Sequence, residues 1–165
     1  MMRFSRVLFV VLLSGAWVAG CRQPDGAWPT ENGDTPNRLH DLSRDLQSVA
    51  GGEADAPKDL ADDLAVFADK PAGVSAARSL ADGISTTIRK RSAGEDVSKQ
   101  MASILWKAVA SKELSERQID SLKDDMRGAL TSLGVSQADA NSVADRIGQT
   151  QQAVSVRTRR WYERY

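Results

Sequence analysis

Residues 97–110 read VSKQMASILWKAVA, and this stretch decides the fold. At about 100° per residue, Met101, Ile104, Leu105, Trp106, Ala108 and Val109 cover more than half of a helix circumference. A helix that is apolar over so much of its surface belongs in the centre of a protein, with other helices around it. Apolar and polar residues do not alternate here for long, so a strand is not predicted.

Working outward, the flanking sequence supplies those helices. Upstream, Val74 to Arg91 places Ala77, Leu80, Ala81, Ile84 and Ile88 in phase, and Arg89-Lys90-Arg91 falls at the negative end of the helix dipole. A helix from about Pro57 carries Leu60, Leu64 and Phe67, has Asp59, Asp62 and Asp63 toward its positive end, and is expected to stop at Pro71. The first helix is expected to open at Thr35-Pro36 and to place Leu39, Leu42, Leu46 and Val49 on one stripe before Gly51-Gly52. Downstream, Ser115 and Gln118 form a capping box for a helix with Ile119, Leu122, Met126, Leu130 and Leu133, closed by Gly134. Ser136 then caps a long final helix, in which Val143, Ile147, Val154, Trp161 and Tyr165 fall within about 40° of one another. The expected fold is all-α: a single bundle of about five or six helices over residues 35–165. Gly73-Val74-Ser75 and Gly134-Val135-Ser136 each open a predicted helix, a weak hint of a duplicated hairpin that fits no standard repeat.

The first twenty residues have another character. Arg3 and Arg6 form a charged start, and an apolar or small stretch from Val7 to Gly20 follows, with VLFVVLL at its core. Those fourteen residues are shorter than the roughly 20 that a bilayer-crossing helix needs, so they read as a cleavable secretion signal. The stretch ends in Val18-Ala19-Gly20-Cys21, which resembles the lipobox of bacterial lipoprotein precursors. The resemblance implies that the Cys21 sulfur takes a diacylglyceryl group, that cleavage follows Gly20, and that the freed amine is acylated. Cys21 is the chain's single cysteine, so no intrachain disulfide can form. Because Arg22 rather than aspartate follows, the resemblance also implies sorting to the outer membrane of a two-membrane envelope, facing the periplasm; the inner membrane and the cell surface are the alternatives. Residues 22–34 (RQPDGAWPTENGD) hold two prolines and two glycines and read as a tether, spanning at most about 45 Å at roughly 3.5 Å per residue. Trp28, with no core to join, suits the lipid headgroup region.

Chemistry is sparse in the body. His40 lies on the polar side of the first helix, with no cysteine or second histidine to complete a zinc site. The acidic doublets Asp62-Asp63 and Asp124-Asp125 read as solvated faces, and phosphate loops, calcium loops and nucleophile elbows are lacking. No cofactor, metal or catalytic residue is implied. Without residues 1–20 the chain has 20 basic and 22 acidic residues, a net charge of −2 that does not point to nucleic acid. The C-terminal stretch stands apart: Arg157, Arg160 and Arg164 line up beside Trp161 and Tyr165. Arginine with aromatics suits protein interfaces and anionic surfaces, and equally suits the docking of a last helix on its bundle.

The expected protein is a lipid-anchored, non-enzymatic envelope module that contacts the membrane through its anchor and binds or scaffolds an envelope protein or an anionic envelope component. In plan it is similar to small helical lipoproteins that assist secretion or envelope assembly, such as secretin pilotins, although no motif beyond the lipobox carries that likeness. Two alternatives stay open: an envelope hydrolase with an unfamiliar carboxylate site, and a structural or stress-related envelope protein without a specific ligand. Lipidation has a direct test. Palmitate labelling of the wild-type chain is expected to disappear in Cys21→Ser, and an unlabelled wild type sinks it.

Overall fold

A computed structural model describes residues 35–155. These residues form six helices and no strand: α1 (Thr35–Gly51), α2 (Ala56–Val66), α3 (Pro71–Ile88), α4 (Glu95–Ala110), α5 (Glu116–Ser132) and α6 (Gln137–Val154). The all-α bundle expected from sequence is what the chain adopts. Met101, Ala102, Leu105, Ala108 and Val109 of α4 have no exposed surface, and α4 packs against α1, α2, α5 and α6. Burying one such leucine contributes about 1.5–3 kcal/mol relative to leaving it in water.

Local signals explain most of the helix ends. Ser115 accepts from the Gln118 N–H while the Gln118 side chain accepts from the Ser115 N–H, completing the capping box. Ser136 accepts from the Asp139 N–H at the start of α6. At the close of α5, Gly134 takes a left-handed φ of 74°, which lets Val135 N–H reach the Leu130 carbonyl. Gly52, at φ 85°, closes α1 in the same way.

Four boundaries differ from expectation. Pro71 opens α3 rather than merely ending α2, because a proline needs no N–H in a first turn and forces the preceding Lys70 into extended geometry (φ −131°, ψ 149°). α3 stops at Ile88, short of Arg91, since Arg89 leaves the helix and Lys90 adopts φ 65°. Arg91 nevertheless serves helix ends: its guanidinium donates to the Thr87 carbonyl of α3 at 3.1 Å and to the Gly134 carbonyl beyond α5 at 2.9 Å. α4 begins at Glu95, where Glu95 and Asp96 face the positive dipole end. α6 ends at Val154, where Ser155 is extended (ψ 122°), and the part of the expected long final helix that would carry Trp161 and Tyr165 lies outside the described residues. The Gly-Val-Ser echo is not structurally equivalent either: Gly73 lies within the first turn of α3, whereas Gly134 is a left-handed linker.

α3 and α6 run antiparallel. The Thr150 hydroxyl lies 3.4 Å from the Ala76 carbonyl, and Arg146 donates to the Ser79 carbonyl at 2.5 Å. At the end of α6, the fully buried Gln151 donates to the Ala108 and Ser111 carbonyls at 3.0 and 2.7 Å, satisfying the last turn of α4. Leu105→Ala should therefore lower stability by about 2–5 kcal/mol and the thermal midpoint by on the order of 10 °C. Replacing the exposed Gln100 of the same helix by alanine should change stability by no more than about 0.5 kcal/mol in chemical denaturation, and equal effects at the two positions would refute this placement of α4.

Candidate functional site

The turn between α2 and α3 is where the two ends of the domain come together. Phe67 packs edge-on against Trp106, with ring centroids 4.2 Å apart and planes at 65°. Arg38, from the first turn of α1, places its guanidinium carbon 5.4 Å from the Phe67 ring centroid, a cation–π contact. The next residue, Ala68, is buried against Gly73: a Cβ on Gly73 would lie 3.2 Å from Ala68 Cβ and 3.3 Å from Val154 Cγ2. Even an alanine at Gly73 would require the Ala68 or Val154 side chain to give by a few tenths of an ångström. The start of α1 and the end of α6 thus meet at neighbouring residues of one corner.

The corner carries charge in balance. Asp69 pairs with Lys112 of the α4–α5 loop at 2.8 Å, and the Lys112 ammonium holds the Asp69 carboxyl below the usual carboxylate range. Beside it runs an open groove of about 710 Å³, lined by Asp69, Lys70, Ser75, Arg78 and Asp82 among others. Arg78 is paired with Asp62 at 3.3 Å. Two acids and two bases on the groove wall favour neither an anion nor a cation. Val66, one residue before Phe67, is 70% exposed.

A second feature lies between α1 and α2. Asp45 is only 8% exposed, yet it is a carboxylic acid set among Leu42, Leu46 and Val49. Burial first, and then the facing Asp63 carboxyl, push its pKa up to about 7, with Asp59 adding to the rise and Arg44 opposing it. Its Oδ1 is 4.0 Å from Arg44 Nε, and its Oδ2 is buried without a hydrogen-bond partner. A carboxyl that titrates near neutrality suits general acid–base catalysis. Asp45, however, sits in the contact between α1 and α2 and is not among the residues that line the groove.

His40 is exposed, as expected from its helical phase. Asp62, Asp124 and Asp125 are exposed, also as expected, whereas Asp63 turns inward toward Asp45. Among the described residues no cluster of His, Cys, Asp and Glu is arranged to hold a metal, and no helix is long and apolar enough to cross a membrane. The motif residues Val18, Ala19, Gly20, Cys21 and Arg22, and the candidate interface residues Arg157, Arg160, Trp161, Arg164 and Tyr165, lie outside the described residues. No protein-family model matches this chain, and neither a curated protein nor a solved structure matches it significantly.

The Asp45 site has a definite pH signature. The folded protein holds this proton more tightly than an unfolded chain, whose aspartate titrates at its ordinary value near 3.8. The contribution of Asp45 is thus most favourable below about pH 4 and is lost as pH rises through about 7. Asp45→Asn, which keeps the shape of the side chain and removes the charge that forms at high pH, should stabilise the protein at pH 8 by on the order of 2 kcal/mol, and by less at pH 5. Urea melts at the two pH values decide this, and an equal or opposite effect at pH 8 would show that the site is not protonated as described.

Proposed function

We propose that this protein is a lipid-anchored, non-enzymatic envelope module that works by binding, held at the periplasmic face of the outer membrane through Cys21. The observation that carries the reading is Val18-Ala19-Gly20-Cys21 at the end of a fourteen-residue apolar stretch, followed by a thirteen-residue leash and a domain opening at Thr35. Two or more acyl chains give stable anchoring, at about 0.8 kcal/mol per buried methylene. A leash of at most about 45 Å keeps the domain near its leaflet. Binding rather than catalysis is supported by the separation of the acids that converge, Asp45 and Asp63, from the groove. The candidate contact is the basic and aromatic run containing Arg157, Arg160, Trp161, Arg164 and Tyr165.

Place and chemistry can be tested together by complementing a deletion strain. Arg22→Asp should move the protein from outer-membrane to inner-membrane fractions and abolish complementation. The double replacement Asp45→Asn, Asp63→Asn should complement fully. If relocation is harmless, or if the double replacement fails while the protein accumulates normally, an anchored binding role is wrong and a carboxylate enzyme takes its place.

A further inference from the structure

We infer that the contact between α1 and α2 is a pH-operated latch: it is closed while Asp45 is protonated, and it opens, with the rest of the bundle folded, when Asp45 and Asp63 both carry charge. This goes beyond the anchored reading above and holds whether or not Cys21 is lipidated.

The first support is what crosses the contact. Leu42, Leu46 and Val49 of α1 and Leu60 and Leu64 of α2 are fully buried in one core, so the two helices meet through apolar side chains. Among the described residues, the ion pairs of α1 join Arg44 to Asp41 and Asp45 of the same helix, and that of α2 joins Asp62 to Arg78 of α3. None bridges α1 and α2. The polar pair that does face across is Asp45 and Asp63, two acids. Asp45 Oδ2 is buried with no hydrogen-bond partner, so a charge formed there has neither water nor a donor to receive it.

The neighbours of Asp45 set when the latch works. Burial and the facing Asp63 push its pKa up to about 7, Asp59 of α2 adds to the rise, and Arg44, 4.0 Å away at Nε, opposes it. The Arg44 side chain is largely exposed, so water screens its help. α3 and α4, the other helices packed on α1, bring no ionisable group to bear on Asp45. Switching near neutrality is ordinarily the part of a histidine, but His40 is exposed and a buried carboxyl takes that part here.

The third support is that α2 is tied unequally at its two ends. Its last turn leads into Phe67 and Ala68, which are held by Trp106, by Arg38 and by the close approach of Gly73 and Val154. Its first turn follows residues 51–55, which are all exposed, and a Cβ on Gly51 or Gly52 would meet nothing within 4 Å. Meanwhile the Arg78–Asp62 pair keeps α2 on α3, and α1 packs on α4. Repulsion between Asp45 and Asp63 therefore parts the two helices from the Gly51–Asp55 end, while the corner at Phe67 stays closed. At eleven residues α2 is the shortest of the six helices, the kind of element that opens by itself.

Native-state hydrogen exchange on the full-length protein in detergent tests this, with rates corrected for the intrinsic effect of pH. At pH 8 the amides of α2 should be less protected than those of α5 by about tenfold or more, and insensitive to low urea, because a local opening exposes little surface. Between pH 8 and pH 5 the protection of α2 should rise about tenfold or more. Asp45→Asn should remove that rise, and Asp63→Asn, at a half-buried position, should reduce it; the second variant decides if the first does not fold. Amides of α2 that match those of α5 in protection and in urea dependence show that only the whole bundle opens, which overturns the latch. So does protection of α2 that is equal at the two pH values, or a rise that survives both replacements.

Discussion

The apolar surface of α4 is the constraint on which the rest depends. Half of its residues are buried, and helices approach it from four sides. Such a helix cannot exist in water unless other elements surround it, and α3, which does not share this central contact, is fixed instead between α2 and α6. Apolar covering solves only part of the problem. The final carbonyls of α4 have no partner within their own helix, and burial without a donor would cost about 1–3 kcal/mol each. Gln151 supplies two N–H bonds from α6. Satisfying the end of one helix thus fixes the end of another, and the corner at Phe67–Gly73 is where both requirements meet.

Much of this was legible because helical phase alone determines it. The stripe of α1, the wide apolar arc of α4, the capping box at Ser115 and the left-handed Gly134 all follow from spacing and local backbone chemistry. The boundaries that differed depend on competition. Pro71 serves equally as a stop or a first-turn residue, and the extended geometry it imposes on Lys70 decides between them. Arg89-Lys90-Arg91 carried the correct charge for a helix end, but Arg91 acts from beyond the end of α3, reaching across to the close of α5. That second acceptor is 43 positions away in the chain, and no local pattern contains it.

Asp45 illustrates a signal present in the sequence yet easily overlooked. It stands three residues after Leu42 and four before Val49, on the flank of the stripe that α1 buries. Phase therefore places it against the core. Its partner Asp63 belongs to a doublet that reads as a solvated face, and only the pairing of α1 with α2 turns one of those two acids inward. Burial of Asp45, with the Asp63 carboxyl facing it, disfavours its charged form, which raises its pKa away from the residues that line the groove. Perturbed titration marks functional sites and strained packing alike, and access distinguishes them.

For the candidate binding region the division is similar. The lipobox-like residues ending at Cys21 and the basic, aromatic run beginning at Arg157 are both visible as composition, far apart in the chain. What composition cannot give is their relation in space, which depends on the helices between them. Short loops make antiparallel neighbours of the packed pairs α1·α2 and α2·α3, and α3 is in turn antiparallel to α6. An even number returns the chain to the end from which it started, as the contacts of Arg38 and Val154 at one corner attest. With five helices the same C-terminal run would leave from the opposite end, farther from any surface to which a tether at Thr35 led. The parity of the bundle, set by how many helices are needed to enclose α4 and support α3, thus brings the two ends of the domain together.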